Sequence, residues 1–319
     1  MRLKLVPKNT SWDFFSRSNL WIGISIVLVV LSLLSFFIQS LNFGIDFRGG
    51  TSIRTESSEP IDVADYRSAL SSLDLGDITI SEVFDPNFAD DQNVAMIRIQ
   101  AQPGQEAATS TLVENSLQKL REVSEDIKFV SVESVGPKVS GELIKTAIIA
   151  VILAISAVLF YIWIRFEWQF AVGAISALIH DVILTIGIFS ALQIKFDLAI
   201  IAAILTIVGY SLNDTVVVFD RVRENLRKFK KRSLVEVMNL SINETMSRTV
   251  MTSVTTLLAL ISLFILGGDV IRGFVFAMIW GVVVGTYSSI FIASAILLWT
   301  GVKRDWSKPN AEAGTQVPQ

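Results

Sequence analysis

Apolar positions along this chain follow two different rules. In one set of segments they run together with few or no charges, and at about 1.5 Å per residue these runs span most or all of the ~30 Å hydrocarbon core of a bilayer. The first such run is 20–38, and the others follow residue 143: 144–164, 170–192, 198–219, 250–266 and 274–300. Between 41 and 140 the pattern changes. Apolar residues alternate with polar ones at 51–55, 77–84, 94–99 and 129–135, which predicts strands. They recur at helical spacing at 62–73 (Val63, Tyr66, Leu70, Leu73) and 105–124 (Leu112, Leu117, Leu120). The order β-α-β-β-α-β is the ferredoxin-like plan.

The expected organisation is an N-terminal segment 1–19, a first membrane helix 20–40 and an α+β domain 41–140. Five more membrane helices within 141–300, with a basic loop at 220–246, precede a tail 301–319. A cleaved signal peptide is the competing reading of the first run. It fits poorly, because the run exceeds an ordinary h-region and 39–47 offers no small-x-small cleavage site. Ser233 followed by Glu236 is a capping box, which predicts a short interfacial helix at 234–243.

Charge orients the helices. Basic residues gather near the N-terminus, at Arg165, between Arg221 and Arg232, and at Lys303, Arg304 and Lys308. With an even number of spans all of these fall on one side, which the positive-inside rule makes cytoplasmic. Both termini then lie in the cytoplasm, and the acidic domain 41–140 lies in the periplasm of a bacterial inner membrane. Composition agrees, with 51% hydrophobic residues and a mean hydropathy of +0.55. The absence of cysteine removes disulfide and thiolate-metal chemistry, and a single histidine argues against a zinc site, so no cofactor or metal is expected. The basic stretch 221–232 reads as a cytoplasmic loop beside lipid headgroups rather than a nucleic-acid site.

The candidate chemistry lies in the apolar runs. Asp214 sits inside one of them, and a carboxylate at the centre of a membrane helix costs ~3 kcal/mol on insertion scales. Tyr210 and Ser211 share its helix face, at i−4 and i−3. Arg248 enters the next span at a similar depth and heads a stripe of Thr252, Thr255 and Thr256. An arginine able to approach and leave a buried carboxylate links protonation to movement. The alternative is a static ion pair that fixes helix register. His180 and Asp181 interrupt another span but are adjacent, about 100° apart on the helix, so they point to different faces. In GIDFRGG (44–50) no helix or Lys-Ser/Thr follows to make a phosphate cradle. It predicts a tight turn with positive φ at Gly49 or Gly50, and Asp46 and Arg48 pinning the outer domain to the helices.

Together with SVGPKVSGEL (134–143), IHDV (179–182) and GYSLNDTVVVFDRVREN (209–225), this motif resembles the SecF family over nearly the whole chain. The resemblance implies an α-helical membrane protein, six transmembrane helices forming an RND-like half, with a periplasmic α+β ferredoxin-like domain between helices 1 and 2. It implies an accessory subunit of the Sec protein translocase, not an enzyme. With SecD, such a subunit uses the proton motive force to promote late steps of preprotein export. The implied partners are SecD, the SecYEG channel, YajC, the exported preprotein and the lipid bilayer. The implied proton-coupling residues are Asp214 and Arg248, joined here by Asp181, His180, Asn213, Tyr210 and Thr252, with Gly44, Asp46, Phe47, Gly49 and Gly50 as a structural motif. A self-sufficient exporter of a small molecule or lipid and a passive scaffold for SecD remain as alternative functions.

Overall fold

A computed structural model describes residues 10–302 apart from 74, 77, 84, 86, 87, 90 and 102–109. Residues 303–319 of the expected tail 301–319 and residues 1–9 of the N-terminal segment lie outside the described residues. Among the described residues, six helices are long and apolar enough to cross a membrane. They are α1 (Ser18–Gln39), α5 (Pro137–Arg165), α6 (Trp168–Ala191), α7 (Leu198–Lys228), α8 (Leu234–Leu266) and a last span that begins as α9 (Asp269–Ser288). That span passes through a π-helical turn (Ser289–Ala293) and ends as α10 (Ser294–Thr300). Helices α6, α7 and α9 form the bundle interior, whereas only 6% of the most apolar window of α1 and 11% of those of α5 and α8 are buried.

Between α1 and α5, the chain builds one helical turn, α2 (Ile45–Arg48), then β1 (Gly50–Ser57), α3 (Val63–Ser71), β2 (Ile78–Val83), β3 (Asn93–Gln100), α4 (Ser110–Arg121) and β4 (Lys128–Val135). The four strands form an antiparallel sheet in the order β2-β3-β1-β4, which is the ferredoxin-like topology. Alternation in the strands sends Ile53, Ile80, Ile97 and Ile99 to one face, where α3 and α4 cover them with Tyr66, Leu70 and Leu120. The opposite face carries Ser52, Arg54, Arg98 and Glu133. It overlooks the ends of α7, α8 and α9 across a cavity of about 530 Å³.

The GIDFRGG segment docks this domain on the membrane helices. Gly44 donates its N–H to Phe196 O at 2.8 Å, and Phe196 donates to Asn42 O at 2.8 Å. Asp46 Oδ2 accepts the Leu198 N–H, the first of α7, at 3.1 Å, while Ser140 at the start of α5 donates to Asp46 O at 2.8 Å. Phe47 packs its ring 5.9 Å from that of Phe196. Gly49 and Gly50 both have positive φ, +71° and +128°. At Gly50 a Cβ would stand 2.2 Å from Ile99 O, so no side chain fits. The single turn at 45–48 was not expected from sequence, and Arg48 is exposed and makes no hydrogen bond or ion pair to the membrane helices among the described residues.

Two other expectations need correction. The capping box at Ser233 and Glu236 forms, but α8 then runs unbroken to Leu266 instead of ending at 243, because no helix breaker separates its polar first turns from its apolar ones. The basic stretch is also mostly helix: α7 continues to Lys228, leaving only a short turn before Ser233.

Candidate functional site

Two polar clusters occupy the bundle, and they differ in how completely they are bonded. The first is centred on Asp181 in α6, which is 1% exposed. Its Oδ2 accepts from Ser211 Oγ of α7 at 2.6 Å and from Ser288 Oγ of α9 at 2.8 Å. Its Oδ1 lies 3.0 Å from His180 Nδ1. The neighbours expected to point apart bond each other instead: both side chains are buried, and the His180 ring nitrogen stands against the Asp181 carboxylate. Close approach of α7 and α9 makes this possible. A Cβ at Gly281 would meet Ile207 at 2.3 Å, and one at Gly285 would meet Ser211 at 2.9 Å. The π-turn, a one-residue insertion common at functional sites, follows directly. With it Ser289 also faces inward, its hydroxyl 2.8 Å from that of Thr215. Tyr287 reaches the other way, to Ser25 Oγ and Trp21 O of α1, both at 2.8 Å.

The second cluster is Asp214 and Arg248. Asp214 is 3% exposed, and its Oδ2 has no hydrogen-bond partner among the described residues. Arg248 does not reach it: no ion pair joins the two among the described residues, and Arg248 is exposed. It lines an open groove of about 540 Å³ between α7 and α8, with Asn213, Arg221, Glu224 and Glu244. Asn213 faces this groove, while Asp214 beside it faces inward.

The stripe expected to start at Arg248 does not face the bundle. Thr252 is half-buried and bonds its own helix at Thr249 O, 2.9 Å away, and Thr255 is exposed. The inward residues of α8 are one position on, Thr249 and Ser253. Tyr210 Oη donates to Ser253 Oγ at 3.3 Å, and Ser253 lies 2.8 Å from Thr286 Oγ1. Sequence reasoning missed Ser288, Ser289, Ser253 and Thr286. The one available signal was Thr286-Tyr-Ser-Ser289, four hydroxyls in succession within an apolar run.

A six-helix membrane unit with ionisable groups inside it, and a small sheet domain inserted after its first helix, places this chain in a defined class. Residues 115–303 match the family model described as protein export membrane protein SecD/SecF, C-terminal, and residues 34–61 match the SecD/SecF GG motif. Relatives called protein translocase subunit SecF are 58% identical in Cereibacter sphaeroides, over 99% of this chain and 97% of the relative. In Rhodobacter capsulatus the identity is 57%, over 96% and 94%. The chain belongs to the SecF family of protein translocase subunits. A crystal structure of SecDF, a translocon-associated membrane protein from Thermus thermophilus, superposes with a TM-score of 0.80 at 33% identity, over 94% of this chain and 40% of that one. SecDF in a super-membrane-facing form gives a TM-score of 0.68 at 34% identity, again over 94% and 40%.

Proposed function

We propose that this subunit pairs with a SecD half in the bacterial inner membrane and turns proton passage at Asp214 into movement that advances preproteins leaving the SecYEG channel. Both termini face the cytoplasm and the sheet domain faces the periplasm; YajC is a further partner. The observation that carries this reading is the pairing state of Asp214. A buried carboxyl oxygen without a donor is unfavourable by about 1–3 kcal/mol, more when charged. Taking up a proton or receiving Arg248 relieves that cost, and the two events exclude each other. The arginine stands in an open groove of about 540 Å³ with room to move. A static register pair, the competing reading, would bring the two charges into contact.

The exposure of α8 supports a second membrane half. A helix with Arg248 and Thr255 on its open face is not suited to lipid, which supports pairing over a self-sufficient exporter. The energy is adequate: one proton crossing ~100 mV releases about 2.3 kcal/mol, a roughly 50-fold bias on a two-state element. The test is preprotein release from inner-membrane vesicles carrying Asp214→Asn in a complex that still assembles with SecD. Release should lose at least about 90% of its proton-driven component. Unchanged release would leave only the scaffold.

A further inference from the structure

Three groups on α7 and α8 stand partly unbonded: two line the groove between these helices, and Asp214 faces inward beside it. Asp214 Oδ2 has no donor. The Arg248 guanidinium makes no hydrogen bond or ion pair among the described residues, although it lines the groove. The third is Glu244, four residues before Arg248 on α8 and therefore one turn nearer the basic end. Both donors to Glu244 use the same oxygen: Arg221 Nε reaches Oε2 at 2.7 Å and Asn225 Nδ2 reaches it at 2.6 Å. Oε1 receives no hydrogen bond from a described residue, so the carboxylate is anchored by one oxygen and open at the other.

We propose that Glu244 is a positioning residue: the carboxylate on which Arg248 rests when Asp214 carries a proton. This deepens the reading above and rests on it. A Glu four residues before an Arg on a helix is the favourable orientation for such a pair. The pair would be weak because the groove is open to water, and weakness suits a resting place from which the arginine must depart. The neighbouring charges leave Glu244 available. Arg221 keeps a second acceptor, Glu224 Oε2 at 2.6 Å, and Asp220 is held by Arg165 from α5 at 3.0 Å. Without Glu244, the other carboxylates lining the groove, Glu224 and Asp220, stay paired with Arg221 and Arg165, and Asp214 is the carboxyl that still has an oxygen without a donor.

The experiment compares Glu244→Gln, Glu244→Asp and Asp214→Asn in the full SecD-paired complex in inner-membrane vesicles, measuring proton-driven preprotein release at a fixed gradient. Glu244→Gln keeps an oxygen for Arg221 and Asn225 but removes the charge. Release is expected to fall about threefold, with recovery in Glu244→Asp and no change in the melting temperature of the purified complex. Normal release with Glu244→Gln, while Asp214→Asn is inactive, overturns the proposal and leaves the role of Asp214 standing. Normal release with both variants overturns the underlying reading as well. If Glu244→Gln also lowers the melting temperature, Glu244→Asp decides. Recovered release supports the resting place, and release that stays low in step with the melting temperature overturns it in favour of a plain α7–α8 anchor.

Discussion

Asp181 and Asp214 are the same residue type at similar burial, yet one is bonded at both oxygens and the other is not. Their charges were legible in the sequence, because an acid in an apolar run is conspicuous. Their bonding was not. Ser211 and Ser288 supply the hydroxyls for Asp181, but a serine in a membrane helix ordinarily bonds its own backbone four residues back, and nothing in its letter says otherwise. The outer domain offers a third case, testable by pH. Ser124 and Ser58 hydroxyls and the Ser58 amide hold the Asp126 carboxyl well below the usual carboxylate range. A depressed native value means the stabilisation is complete above the unfolded value of about 3.9 and fades as pH falls through the native one. Asp126→Asn should therefore speed amide exchange at Ser58, corrected for the intrinsic rate, near pH 7. The gap between variant and parent should narrow on acidification below about pH 4. A gap that is constant across that window would show that hydrogen bonding alone, without the charge, holds the loop.

At the scale of elements, the membrane runs and the four strands were readable because periodicity and apolar length are direct consequences of which faces are buried. The inward face of α8 was read one position off. A threonine stripe and the adjacent Thr249–Ser253 stripe are equally polar, and only packing against α7 and α9 selects between them. Contact between α7 and α9 depends on glycine. At Gly281 a Cβ would lie 2.3 Å from Ile207 Cγ1 and 2.4 Å from its Cδ1, so Ile207 must leave its rotamer or the helices must part. Overpacking of this kind costs about 1–3 kcal/mol. Gly281→Val is expected to lower the melting temperature of the detergent-solubilised protein by several degrees. It should also loosen the Ser211–Asp181–Ser288 cluster, read as faster exchange in the middle of α7. Unchanged melting and exchange would mean that the two helices are held apart by other contacts and that the glycine is incidental.

Across the whole molecule, the outer domain grips the ends of the helices that carry Asp214 and Arg248. Asp46 accepts the first amide of α7 beside the helix's own cap, Asp197, whose side chain takes the Ile200 N–H at 3.3 Å. At the far end of α8, Gly268 adopts φ +74° and brings its Cα so close to Asp85 that an added Cβ would stand 2.7 Å from Asp85 Oδ2. The proposed shift of α7 against α8 at the level of Asp214 would therefore reach the sheet domain through these two contacts. Asp46 is the separable one, because its carboxylate bonds α7 while its carbonyl bonds Ser140 of α5. Asp46→Ala removes the first link and keeps the second. Loss of a carboxylate cap is worth about 1 kcal/mol, a factor of about five in local opening. Amides in the first turn of α7 should exchange about fivefold faster, with α6 unaffected. Proton-driven preprotein release should fall although Asp214 and Arg248 are intact. Faster exchange with full release would show that the sheet domain follows the helices through α5 and the α8–α9 turn alone, and that the clamp at Asp46 serves only to hold α7 in place.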